Sequence, residues 1–229
     1  MREKFLSLHR AGAAAPSLGG LTRLPDAPSG IFSGYGGRMP PAFEIVALAA
    51  SAGGLKALTD VLAALPAEFP APLVVVQHLD PRHRSLMADI LGKRTMLAVK
   101  EASEGDRLEP GRAYVAPPNR HLLVNPDRTL SLTQTELVHF VRPSADLLFE
   151  STAASYRERA IAVVLSGSGK DGAMGVTAIK KMGGTVIVQD EKTSEFFGMP
   201  GAARQTGMAD FVLPLSDIAP ALLTLVKPK

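Results

Sequence analysis

Ile161–Leu165 is apolar at all five positions, and three of the five residues are β-branched. A strand of that composition has no face to show to water, so it must be covered on both sides. Leu73–Val76, Thr185–Gln189 and the run at 44–49 repeat the pattern. Between them lie stretches with helical spacing: Leu55–Leu65, Ser85–Arg94, Ser144–Arg157 with Ser144 as its cap, Gly172–Met182 and Ser216–Val226. Buried strands alternating with helices predict an α/β fold: a doubly wound, mainly parallel sheet with helices on both faces. Shorter strands are expected at Ala98–Glu101, Ala113–Ala116 and Phe211–Leu213. His121–Val124 and Thr129–Leu132, joined through Asn125-Pro126-Asp127-Arg128, read as a small antiparallel hairpin.

The regular pattern begins near residue 41, so residues 41–229 are expected to form one domain. Residues 1–40, rich in Ala, Gly, Ser and Pro, read as a disordered extension, with Met39 as an alternative start of translation. Five basic residues stand against two acidic ones in 1–40, which equals the whole formal charge of +3 and leaves the remainder neutral. The high isoelectric point therefore marks a basic tail, not a nucleic-acid-binding face, and the absence of Trp points the same way. No apolar run reaches the roughly 20 residues that span a bilayer, so no membrane insertion is expected. The chain has no cysteine, which excludes disulfides and thiolate chemistry and fits a cytoplasmic protein.

In doubly wound sheets functional groups gather beyond the carboxyl ends of the strands. Three such ends carry reactive side chains. Ser51 opens Ser51-Ala52-Gly53-Gly54 between a strand and a helix, where a hydroxyl and unpaired backbone N–H groups meet; read alone, a simple helix N-cap explains it better. His78 follows Leu73–Val76 and Gln77, and a neutral imidazole there could accept a hydroxyl proton, with His83 and His121 as competing histidines. Asp171 lies in Ser166-Gly167-Ser168-Gly169-Lys170-Asp171-Gly172, where it could orient a histidine or cap the next helix. The same segment fits a dinucleotide-binding turn through Gly167, Gly169 and Gly172, with Asp190 at the end of the next strand as a ribose ligand. Spacing alone leaves these alternatives open, although the Asp171 carboxylate would repel a pyrophosphate.

Further segments appear in order: Gln77-His78, Glu101-Ala102-x-x-Gly105, Ala116-Pro117-Pro118-Asn119-Arg120-His121-Leu122, Arg142-Pro143-Ser144-x-Asp146, Gln189-Asp190-Glu191 and Phe197-Gly198-Met199-Pro200. Together with the Ser51 and Asp171 motifs, they resemble the catalytic domain of chemotaxis protein-glutamate methylesterases, which also deamidate receptor glutamines. The resemblance runs from about Ile45 to Val226. It implies a serine hydrolase with Ser51, His78 and Asp171 as catalytic triad, backbone N–H groups of Ala52 and Ser168 facing the oxyanion, and no metal or organic cofactor. The implied partner is the cytoplasmic region of methylated chemoreceptors. Ala49, Ala52 and Ser168 depart from the family pattern, which often has Gly, Thr and Met there. Family members usually carry an N-terminal phospho-receiver domain, which 40 residues cannot hold. The expectation is therefore constitutive activity, or control by a separate receiver or chemotaxis-array protein. The remaining function classes are the dinucleotide-dependent oxidoreductase and a non-catalytic docking module.

Overall fold

A computed structural model of the chain describes residues 43–78 and 85–226. The expected extension at 1–40 and His83 lie outside the described residues. Strands β1 (Ile45–Ala50), β2 (Leu73–Gln77), β7 (Ala160–Val164) and β8 (Thr185–Gln189) are buried almost throughout. With β3 (Ala98–Glu101), β4 (Arg112–Val115) and β9 (Phe211–Leu213) they form a seven-stranded sheet in the order β3-β4-β2-β1-β7-β8-β9. Every pairing in it is parallel. The expected hairpin is a separate antiparallel pair, β5 (His121–Val124) with β6 (Leu130–Thr133).

Alternation along the central strands sorts the core into two layers. Val46, Leu48 and Ala50 of β1 pack with helices α1 (Gly54–Ala63), α2 (Met87–Gly92) and α6 (Leu215–Leu225). Ile45, Ala47 and Ala49 pack on the other face with α3 (Ala145–Tyr156), α4 (Ala173–Lys181) and α5 (Gly198–Gln205). The strand order reverses at β1: the chain moves outward through β2 and β4, then returns to β1's other side with β7. The crevice past the carboxyl ends of β1 and β7 is thus the topological switch point, where ligands bind in such sheets.

Helix α5 is the element that sequence periodicity misses. Its opening Gly198-Met199-Pro200-Gly201 reads as a loop, yet proline is tolerated in a first helical turn. Tertiary packing decides the matter: Met199 is buried, and its N–H donates to the Gly167 carbonyl at 2.8 Å.

Candidate active site

The register of the central strands brings Ser51 and His78 together. Ala50 lies opposite Gln77 in the β1–β2 pair, and the His78 N–H donates to the Ala50 carbonyl at 3.1 Å. Ser51 donates its own N–H to the Ser166 carbonyl at 3.0 Å, extending the β1–β7 pairing past both strands. The inward positions of β1 and β2 on the α3 face are Ile45, Ala47, Ala49, Val74 and Val76. Continuing that two-residue period directs Ser51 and His78 toward the same face, over the start of α3.

His78 meets Asp171 there. Its Nε2–H donates to Asp171 Oδ2 at 2.8 Å, with both side chains nearly buried. That bond places the ring proton on Nε2 and leaves Nδ1 as the basic nitrogen, the reverse of the nitrogen roles in the chymotrypsin arrangement. The Ser51 hydroxyl makes no hydrogen bond among the described residues, so the expected chain of contacts is joined at His78–Asp171 and open at Ser51. Open hydroxyl–imidazole geometry is common before substrate arrives.

Asp171 does cap a helix, but not the one that follows it. Gly172, whose φ of 99° suits glycine, holds the N-cap position of α4, with no side-chain cap. The Asp171 carboxylate instead accepts the first N–H groups of α3, from Ala145 at 2.6 Å and Asp146 at 3.2 Å, and the Ser144 hydroxyl at 2.9 Å. Burial alone would raise the Asp171 pKa. The bonds from His78, Ala145 and Ser144 outweigh that and hold it below the usual carboxylate range. Its neighbour Asp146 shifts the other way, raised by burial and by the Asp171 charge, although it accepts the Gly175 N–H at 2.7 Å.

The competing readings of these residues fare differently. Ser51 is not an N-cap: Gly53, with φ 72°, holds that position in α1 and no side chain caps it. His121 is fully buried, accepts the Ser144 N–H on Nδ1 at 3.1 Å and donates from Nε2 to the Glu136 carbonyl at 3.0 Å. Burial lowers its pKa, and with both nitrogens engaged it is a structural histidine. The proposed dinucleotide turn is packed against protein at Gly167 and is approached by Gly198. A Cβ on Gly167 would lie 2.9 Å from Ser51 Cβ, and one on Gly198 would lie 2.9 Å from Gly169 N. Asp190 spends Oδ1 on the Thr193 N–H and hydroxyl, closing its own turn. The backbone N–H groups of Ala52 and Ser168 have no acceptor among the described residues, which leaves them available to an anion.

Two glutamines carry structural weight that sequence reasoning left unassigned. Gln77 ends β2, and its Nε2 donates to the carbonyls of both Ser51 (2.7 Å) and His78 (3.1 Å). Gln189 ends β8, accepts the Ser166 N–H at 2.8 Å and donates to the Thr193 carbonyl. A polar amide closing an otherwise apolar buried strand was the available signal, because such a group must find partners. Replacing Gln77 by leucine strands the His78 carbonyl, leaves the Ser51 carbonyl with only the Gly54 N–H, and removes the clamp between the two reactive loops. The expected result is a loss of about 1–3 kcal/mol in urea unfolding and a 10- to 100-fold fall in kcat. A variant with wild-type kcat would show that the clamp is not needed for chemistry.

The CheB methylesterase family profile matches residues 46–222. This chain belongs to the CheB methylesterase family. It is 44% identical over 211 residues to the protein-glutamate methylesterase/protein-glutamine glutaminase of Moorella thermoacetica, covering 88% of this chain and 49% of that one. A Leptospira interrogans relative is 40% identical over 183 residues and is spanned for 95% of its length. Among solved structures, the Thermotoga maritima CheB methylesterase catalytic domain superposes with a TM-score of 0.77 at 38% identity, covering 80% of this chain and 99% of that one. The chain thus spans about half of the Moorella relative and 47% of the Maricaulis maris one. Among the described residues no helix is long and apolar enough to cross a membrane.

Proposed function

We propose that the chain is a cytoplasmic serine hydrolase that demethylates glutamyl γ-methyl esters, and deamidates glutamines, on the cytoplasmic region of methyl-accepting chemoreceptors. Residues 41–229 are its catalytic unit. The observation that carries the reading is the 2.8 Å His78–Asp171 bond beside Ser51 at the switch point of the sheet. The names of the relatives supply the substrate class.

In this reading His78 Nδ1 takes the Ser51 proton as Oγ attacks the ester carbonyl. The tetrahedral oxyanion faces the Ala52 and Ser168 N–H groups, donors typically worth about 3 kcal/mol each to the transition state. His78 then protonates the departing methoxide, methanol leaves, and a glutamyl ester of Ser51 remains. Water, deprotonated by the same nitrogen, attacks that ester, and the proton returns to Ser51 as the free glutamate departs. With glutamine, ammonia leaves in place of methanol. Asp171 keeps the proton on Nε2 throughout and stabilises the imidazolium that forms twice per cycle. A separate receiver or chemotaxis-array protein is the natural regulator.

Incubation with methylated chemoreceptor fragments tests the assignment. Methanol release that disappears in His78→Ala is the expected result, and no methanol from the wild-type protein would overturn it. Labelling of Ser51 by a fluorophosphonate, lost in the same variant, would separate a hydrolase from a docking module.

A further inference from the structure

Eight large apolar side chains stand exposed among the described residues, and five of them lie where helices start at the carboxyl end of the sheet: Leu86, Leu137, Phe140 and Phe196 in the connections leading into α2, α3 and α5, and Met174 in the first turn of α4. The others lie elsewhere: Met96 before β3, Met182 after α4, and Val212 on the edge strand β9. Exposed apolar surface is therefore concentrated around the crevice where an ester must arrive. Scattered exposed hydrophobes need no explanation, but a rim of them at a binding site does.

Phe140 is the extreme case, 94% exposed. Val138 and Val141 exchange backbone hydrogen bonds of 3.2 and 2.9 Å, which makes His139 and Phe140 the two central residues of a tight hairpin turn. Their φ values are 49° and 65°. Turns with two left-handed central residues are ordinarily built from Asn-Gly, because bulky L-residues are strained there. For stability alone, glycine at 140 would relax the backbone and withdraw an aromatic ring from water.

The turn is nevertheless held on both sides. His139 Nε2 lies 3.2 Å from Asp146 Oδ2, close enough to pair, although its N–H is not aligned on that oxygen. Arg142 grips Asn119 Oδ1 through Nε and Nη2, at 2.9 and 2.7 Å, and the Thr135 carbonyl through Nη1 at 2.6 Å. From His139 the contacts run to Asp146, from the Asp146 N–H to Asp171, and from Asp171 to His78. The strained turn is thus tied to the reactive pair, and its outward product is one aromatic ring.

We propose that Phe140, with Leu137, Met174 and Phe196 around the same crevice, anchors the polypeptide that carries the ester, selecting chains with apolar side chains flanking the glutamyl group. The inference rests on the function proposed above and names the substrate feature that this site selects. An ester on a protein side chain reaches Ser51 only when its main chain lies across the crevice rim. The occupant of that rim during reaction is therefore the substrate's own flanking segment, and buried aromatic anchors dominate such contacts.

Binding to a Ser51→Ala background tests this without requiring turnover. The probes are two fluorescein-labelled peptides bearing one glutamyl γ-methyl ester, flanked by alanine and leucine in one and by serine in the other. The apolar peptide should bind about tenfold more tightly, the effect expected for burying part of one aromatic ring. Adding Phe140→Gly should erase that preference without lowering Tm, since glycine suits the turn, and Phe140→Leu should keep most of it. Equal affinities for the two peptides, or a preference that survives Phe140→Gly, would overturn the proposal. So would a dimer of the wild-type protein that Phe140→Gly converts to monomer, which would assign the rim to self-association. A clear preference in a protein that releases no methanol with Ser51 intact would instead count against the hydrolase reading alone.

Discussion

Ser51→Ala is expected to lower hydrolysis of a glutamyl γ-methyl ester by about 10⁴- to 10⁶-fold, about 5–8 kcal/mol of transition-state stabilisation, with Tm within a degree or two of wild type. The separation of the two effects follows from the surroundings of the residue. Its hydroxyl has no hydrogen-bond partner among the described residues, so removing it leaves nothing buried and unpaired. Its main chain is fixed independently, through the N–H to Ser166 at 3.0 Å and through the carbonyl to Gln77 Nε2 at 2.7 Å. Its Cβ, which alanine keeps, is the atom that Gly167 must be a glycine to accommodate. Methanol release and calorimetry on the same preparation check both halves. A full-rate alanine variant would remove the acyl-enzyme from the mechanism and leave His78 acting directly on water.

How much of this was legible in advance depended on whether the relevant contact was local. The buried strands were legible because runs such as Ile161–Leu165 allow no wet face, and their alternation with helices determined the layered architecture. Ser144 was legible as a cap, and in the structure its Oγ accepts the Leu147 N–H, at a long 3.4 Å. Helix α5 was not legible, because Gly198 and Pro200 argue against a helix until the packing of Met199 under the Ser166–Gly169 turn is known. The three reactive residues were each ambiguous when read singly, and only the resemblance to the methylesterases joined them. What spacing could not disclose was that Asp171 serves a helix whose first residue lies 26 positions earlier in the chain, or that His139 reaches Asp146 from a strained turn. Such contacts depend on where the chain returns in space, and neither propensity nor period encodes that.

Asp171→Asn should damage both folding and chemistry, because this carboxylate has two jobs that an amide cannot do together. Each oxygen faces a backbone N–H that cannot turn away: Ala145 at Oδ2 and Asp146 at Oδ1. With its single acceptor turned toward Ala145 and His78, asparagine presents an NH₂ group to the Asp146 N–H. The His78 tautomer survives in that orientation, but the charge that stabilises imidazolium is gone. Turned the other way, it opposes the Ala145 N–H at the shorter of the two contacts and forces the His78 proton onto Nδ1, the nitrogen that must act as base. Either orientation predicts a fall in rate of about 10²- to 10⁴-fold and a loss of about 1–3 kcal/mol at pH 7. The Asp171 pKa is depressed in the folded state, so its stabilisation is present above the unfolded carboxylate value near 4 and is lost as pH falls through the lower folded value. The stability gap between wild type and variant, measured by urea unfolding, should therefore narrow from pH 7 toward pH 3. A gap that stayed constant across that range would mean that the folded protein does not favour ionised Asp171. The α3 N-terminus would then not be the source of its low pKa, and the electrostatic support assigned to His78 would have to come from elsewhere.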